Sequence, residues 1–171
     1  MATTSSGPST RRSSTSTDID VDIRHFEELT RRQLHALLAL RSRVFVVEQE
    51  ITEVPEVDGR DPEAHHALAY DDQKLVGTTR ILLDAEPIKV GRVAVDKEHR
   101  GRGVGRCMMR GVQDFLGDRR AKLHAQSHLE GWYDGLGWQR SGPNFEIVGI
   151  DHVPMTWPPE GAEERLEAKG A

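Results

Sequence analysis

Val93-Ala94-Val95-Asp96-Lys97-Glu98-His99-Arg100-Gly101-Arg102-Gly103-Val104-Gly105 runs from an apolar strand through a turn rich in glycine and arginine onto the start of a helix. Such a turn is an anion site. Its backbone N–H groups converge, Gly101, Gly103 and Gly105 offer no Cβ to block a ligand, and the helix start adds partial positive charge. Arg100 and Arg102 supply charge-assisted donors suited to phosphate oxygens. The expected ligand carries a diphosphate. Two familiar phosphate motifs do not fit: no Lys follows Gly105 as a nucleoside triphosphatase loop requires, and Arg106 and Met108 stand where a dinucleotide fingerprint needs a third small residue. The plain alternative is an ordinary glycine-rich connection between strand and helix.

Composition bounds what surrounds this turn. The chain has 171 residues, 36% of them hydrophobic, which fits one domain of roughly 140 residues able to bury about two-thirds of its unfolded surface. A net charge of -5 argues against nucleic acid as a partner, because a phosphate-tracking surface needs a basic excess. Positive charge is local instead, at Arg100, Arg102, Arg106 and Arg110. The single cysteine, Cys107, cannot close an internal disulfide and is expected to pack on its helix, which favours a reducing compartment. Neither a membrane-length apolar run nor a signal-like apolar segment is present. A cytoplasmic location without a membrane partner is the expectation.

Along the chain, residues 1–20 are rich in Ser and Thr and read as a disordered tail, with Arg11-Arg12-Ser13-Ser14 a solvated leader. Residues 158–171, polar and rich in Pro and Glu, read as a second tail. The elements between are predicted as a strand over 21–26, a helix from the cap Thr30 to about Glu48 with the stripe Leu34, Leu37, Leu38 and Phe45, and a hairpin of 66–70 and 75–83. A strand over 88–95, the helix 104–116, a strand over 122–126, a short helix over 128–136 and a last strand over 145–155 follow. Consecutive antiparallel strands, then strand-helix alternation, predict an α/β (α+β) fold: a mixed, mostly antiparallel central sheet with helices on both faces.

The spacing Arg-x-x-Gly-x-Gly from Arg100 to Gly105 after a strand resembles the acetyl-coenzyme A signature of the GNAT N-acetyltransferase superfamily. A second segment strengthens the resemblance: Trp132-Tyr133-Asp134-Gly135-Leu136-Gly137-Trp138 looks like the GNAT helix whose tyrosine faces the coenzyme sulfur. Arg41 to Gln49, Asp58-Gly59-x-Asp61, His66 and Gly149-Ile150-Asp151-His152 look like the ElaA/YjcF-type branch, although Asp151 stands where proline is common. The match covers most of residues 25–157, so 21–157 is expected to be one GNAT domain with the acyl-CoA N-acyltransferase fold.

The resemblance implies a cofactor-binding set. The backbone of Val93, Ala94 and Val95 would bind the pantetheine arm like an added strand, Gly101 to Gly105 with Arg100, Arg102, Val104 and Arg106 would hold the diphosphate, and His128 would either contact pantetheine or cap its helix. Tyr133 is implied as the general acid for the departing thiolate, since a phenol with a reference pKa near 10 can donate to a thiolate whose acid has one near 8.5. The reaction implied is acetyl transfer from acetyl-coenzyme A to a primary amine of a small molecule or peptide by direct attack in a ternary complex. The alternatives are a non-catalytic acyl-coenzyme A sensor on the same fold, and a nucleotide-binding protein. A homodimer is implied by analogy with the superfamily.

The acceptor side leaves more open. Arg41 and Glu48 fall near the apolar stripe of the first helix, so each is either half of a structural ion pair or part of the acceptor pocket, with Glu48 attracting an ammonium or accepting its proton through water. Asp58 and His66 join that pocket as substrate-binding candidates, His66 being either a catalytic base or a hydrogen-bonded strand histidine. Arg80 pairs Glu48 or binds an anionic part of the substrate. His152 is the last candidate. No metal is expected, because His65, His66, His124, His128 and His152 lack a ligand spacing.

Overall fold

The computed structural model describes residues 18–159, so Arg11-Arg12 and most of both expected tails lie outside the described residues. Strand β1, Ile19–His25, starts inside the expected N-terminal tail, because Ile19, Val21 and Ile23 alternate with polar residues and pack on the main core. Thr30 caps α1, Arg31–Arg41, through a capping box with Gln33 in which each side chain accepts from the other's backbone N–H. The predicted helix to Glu48 then changes pitch. Ser42–Glu48 is a π-helix, whose wider turn re-aims every later side chain, so Val44 is buried while Phe45, expected on the apolar stripe, is half-buried.

Strands β2, His65–Asp71, and β3, Lys74–Leu82, form the predicted hairpin, and β4, Ile88–Val95, follows. After α2, Val104–Leu116, come β5, Ala121–Gln126, the short α3, Glu130–Asp134, and then β6, Gln139–Arg140, β7, Phe145–Ile147, and β8, Ile150–Trp157. The sheet order is β1-β2-β3-β4-β5-β8-β6, with β7 also on β8, and among the described pairs only β4 and β5 run parallel. The single last strand expected over 145–155 is a hairpin. Val148 and Gly149, at φ 45° and 76°, form a tight left-handed turn between β7 and β8.

Both faces of the sheet are covered on its β1–β4 side. Ala67 and Ala69 of β2 join Met108, Met109 and Val112 of α2 in the main core, while Leu68 between them packs with Leu37 of α1 on the other face. Cys107 is exposed on α2, contrary to expectation, because the apolar stripe of that helix runs through Val104, Met108, Met109, Val112 and Leu116. No helix among the described residues is long and apolar enough to cross a membrane.

Candidate active site

Strands β4 and β5 pair only at Ile88 with Ala121 and Lys89 with Lys122, then part. A bulge helps to open them. Arg80 faces Gly91 and Thr78 faces Ala94, so Arg92 and Val93 together oppose Thr79 alone, and Arg92 takes a positive φ of 52°. The parted strands bound a cleft of about 1320 Å³ whose walls include Val93, Ala94 and Val95. From Val90 onward the β5-facing backbone edge of β4 has no strand partner. An extended chain laid there would find backbone hydrogen bonds.

At one mouth of the cleft lies the turn. Gly101 and Gly103 hold φ values of 74° and 83°, and Gly103 is the left-handed N-cap of α2 with no side chain capping it. The first N–H groups of this 13-residue helix are therefore free to receive an anion. Gly101, Gly103, Val104, Gly105 and Arg106 line the cleft, whereas the exposed Arg102 does not. Gly105 serves packing. A Cβ there would meet the Trp132 ring at 3.1 Å, so its smallness lets α3 close on α2.

Arg100 is not idle in this state. Its Nε donates to the Val95 carbonyl at 3.1 Å, and its two terminal nitrogens grip Glu48, Nη2 to Oε2 at 2.9 Å. Hydrogen bonding from Arg100 holds the Glu48 carboxyl below its ordinary pKa. Thus Glu48 lines the cleft, as expected, but as the partner of Arg100 and not of Arg80.

Tyr133 is 5% exposed and lines the inner cleft beside Val95 and His128, with the Trp132 ring edge-on at 4.8 Å. Burial pushes its phenol well above the ordinary tyrosine value, so it remains a proton-bearing donor throughout the neutral range. His128 sits in the 3-10 turn Ser127–Leu129 and caps no helix with its side chain.

The acceptor candidates divide. Arg41, 1% exposed, donates to Asp61 at 2.7 Å and to Glu56; Arg80 donates to Asp58 at 2.8 Å and to Asp61 at 3.3 Å. Arg92 closes the cluster through Glu56 at 3.0 Å and Asp58 at 3.3 Å. Hydrogen bonding from Arg80 depresses the pKa of Asp58; for Asp61, burial opposes ionisation, but Arg41 and Arg80 outweigh it. Arg41 and Asp58 lie outside the cleft lining, so the structure spends them on an ion-pair cluster under the π-helix. Arg80 reaches the lining only with both partners attached.

His66 is completely buried, with its Nε2 3.2 Å from the Asp61 carbonyl oxygen, and burial lowers its pKa. It is off the cleft, so the strand-histidine alternative describes it. His152 does line the cleft, its Nδ1 held at 2.7 Å from the Ile150 carbonyl. Gln126, Lys89 and Lys122 were not candidates: Gln49 and Gln126 bond across the cleft at 2.8 Å, joining the end of the π-helix to β5, and Lys89 and Lys122 line it together with His124. Among the described residues, no group of three or more His, Cys, Asp or Glu side chains is disposed to hold a metal ion.

Comparison with known proteins agrees with this geometry. Residues 30–158 match the acetyltransferase (GNAT) domain family. Protein ElaA of Escherichia coli is 36% identical over 140 residues, covering 77% of this chain and 91% of ElaA. The crystal structure of E. coli ElaA superposes with a TM-score of 0.72 at 35% identity, covering 81% of this chain and 98% of that one. An acyl-CoA N-acyltransferase from Pseudomonas aeruginosa gives the same TM-score, 0.72, at 33% identity, covering 81% of this chain and 98% of its own. A parted β4–β5 pair behind an uncapped glycine turn, and a family match running from the cap of α1 to the end of β8, have one common explanation: the chain belongs to the GNAT acetyltransferase family, in the branch that includes ElaA.

Proposed function

We propose that this protein transfers acetyl from acetyl-coenzyme A to a primary amine by direct attack within a ternary complex. The observation that carries it is the continuity of the cleft, from the left-handed Gly101–Gly103 turn, along the unpaired edge of β4, to buried Tyr133. The diphosphate would rest on the free N–H groups of α2, and the pantetheine arm would pair with β4 near Val93 and Val95. A neutral amine attacks the thioester carbonyl; the C–N bond forms, the C–S bond breaks, and backbone N–H near Val95 steadies the oxyanion. Tyr133 donates its proton to the leaving thiolate and is reprotonated, through water, by the proton that the attacking nitrogen gives up. Phosphate oxygens would compete with Glu48 for Arg100, returning the Glu48 carboxylate to the acceptor, where it draws in the ammonium and takes up its proton through water.

Thiol release measured across an amine panel tests the reaction. Acceptor-dependent release is the expected result; tight coenzyme A binding without it would leave only a binding module. For Tyr133→Phe, kcat should fall about tenfold to a hundredfold while the Kd for coenzyme A, read by titration calorimetry, holds within about twofold. An unchanged kcat would remove the acid role. Comparable thermal stabilisation by ATP or NAD would point to a nucleotide site instead.

A further inference from the structure

The acceptor end of the cleft has a charge pattern that the acetyl-transfer chemistry does not require. Lys89 and Lys122 are direct neighbours across the last β4–β5 rung, and both line the cleft. His124, two residues along β5, shares the face of Lys122, and His152 shares it too, being paired with Gln126 across β5 and β8. Among the described residues, no carboxylate pairs with either lysine.

Both carboxylates that line the cleft pair with arginine and neither with a lysine, and the one that coenzyme A would release, Glu48, is the one proposed to meet the amine. Glu48 is held at both oxygens by Arg100, and Glu56 by Arg41 and Arg92. His124 has its pKa lowered, first by burial and then by the charges of Lys122, His152 and Lys89. His124 stands between the lysines and His152 on the cleft wall, its ring edge-on to Phe145 at 4.8 Å. This is a concentrated positive end on a chain whose net charge is -5. Two adjacent ammonium groups with no counter-charge among the described residues repel each other and a cationic ligand alike.

The geometry points to an acceptor that carries an acidic group, a carboxylate or a phosphate, besides its amine, with Lys89 and Lys122 binding the acid while the amine faces the thioester. That the ligand here is the amine acceptor rests on the acetyl-transfer reading above; the preference for an acid does not. A simple diamine is selected against, because its second ammonium would lie on the lysines.

Matched pairs of probes test this: 4-aminobutyrate against putrescine, and phosphoethanolamine against ethanolamine, titrated calorimetrically into the free protein and into protein saturated with coenzyme A. The acid-bearing member of at least one pair should bind about tenfold more tightly, as expected for a charge-assisted hydrogen bond, and the pair that shows it tells carboxylate from phosphate. The double substitution Lys89→Gln, Lys122→Gln should abolish the preference, and Lys122→Glu should reverse it in favour of the amine-only member. Circular dichroism checks that each variant is folded. Equal or undetectable binding within both pairs, or a preference that survives the substitutions, overturns the assignment. Wild-type protein that shows the preference yet fails to bind coenzyme A would count against the acetyl-transfer reading alone and would support the acid site.

Discussion

Gly103→Asp is expected to weaken coenzyme A binding by more than about a hundredfold. The residue holds φ 83° at the N-cap of α2, a conformation costing an L-residue roughly 1–2 kcal/mol. A carboxylate there would also face the diphosphate, and two like charges about 4 Å apart near a protein surface repel by several kcal/mol. Together these exceed the roughly 2.7 kcal/mol that corresponds to two decades in Kd. No atom lies within 4 Å of the added Cβ, so the loss would come from strain and charge and not from collision with the protein. Gly103→Asn separates the two causes. Asparagine meets the same left-handed strain as aspartate but carries no charge, so the difference in affinity between the two variants by titration calorimetry measures the repulsion. If aspartate binds coenzyme A as tightly as glycine, the turn does not hold the diphosphate.

Asp61→Ala should cost about 3–5 kcal/mol of stability by urea unfolding at neutral pH. Arg41 is 1% exposed, and Asp61 bridges it to Arg80, so removing the carboxylate leaves buried guanidinium charge partly unpaired. Acid should narrow the difference. The pKa values of Asp58 and Asp61 are depressed in the folded state, so their stabilising contribution is complete above the unfolded carboxylate value near 4 and is lost as the pH falls toward the folded values. Wild type and Asp61→Asn should therefore differ most near pH 7 and progressively less below pH 4. A difference that is the same at both pH values would mean that the cluster contributes little through its charges.

Much of the geometry of the proposed cofactor side was legible because it is built from backbone over a few consecutive residues. Gly101 and Gly103 declare their left-handed φ in the residue type itself, and a strand, a turn and a helix in that order leave little freedom in where N–H groups point. Gly105 shows the limit: its partner Trp132 arrives from a later helix, and nothing near Gly105 announces it.

The acceptor side was legible only as a set of anomalies. Arg41 and Glu48 stood out as charges near an apolar stripe, yet their partners come from elsewhere in the chain, Asp61 by 20 positions and Arg100 by 52. The π-helix compounds this, because a 3.6-residue period cannot foresee the rotation it introduces after Arg41. Nothing beside Lys89 or Lys122 in its own strand marks either residue. Only the parallel pairing of β4 with β5 sets them side by side, and that pairing is a property of topology.

Where β4 and β5 separate after two rungs, the eight-stranded sheet is continuous in connectivity but jointed in mechanics. Beneath α2 the two halves share one core, Val76 and Val90 from one side and Leu123 and Val153 from the other; on the opposite face the Gln49–Gln126 hydrogen bond ties the end of the π-helix to β5. A strand-like guest laid in that seam would take up the free edge of β4 at Val93 and stand between it and the half of the sheet whose β8 carries His152, supplying the backbone contact that the two strands do not make with each other.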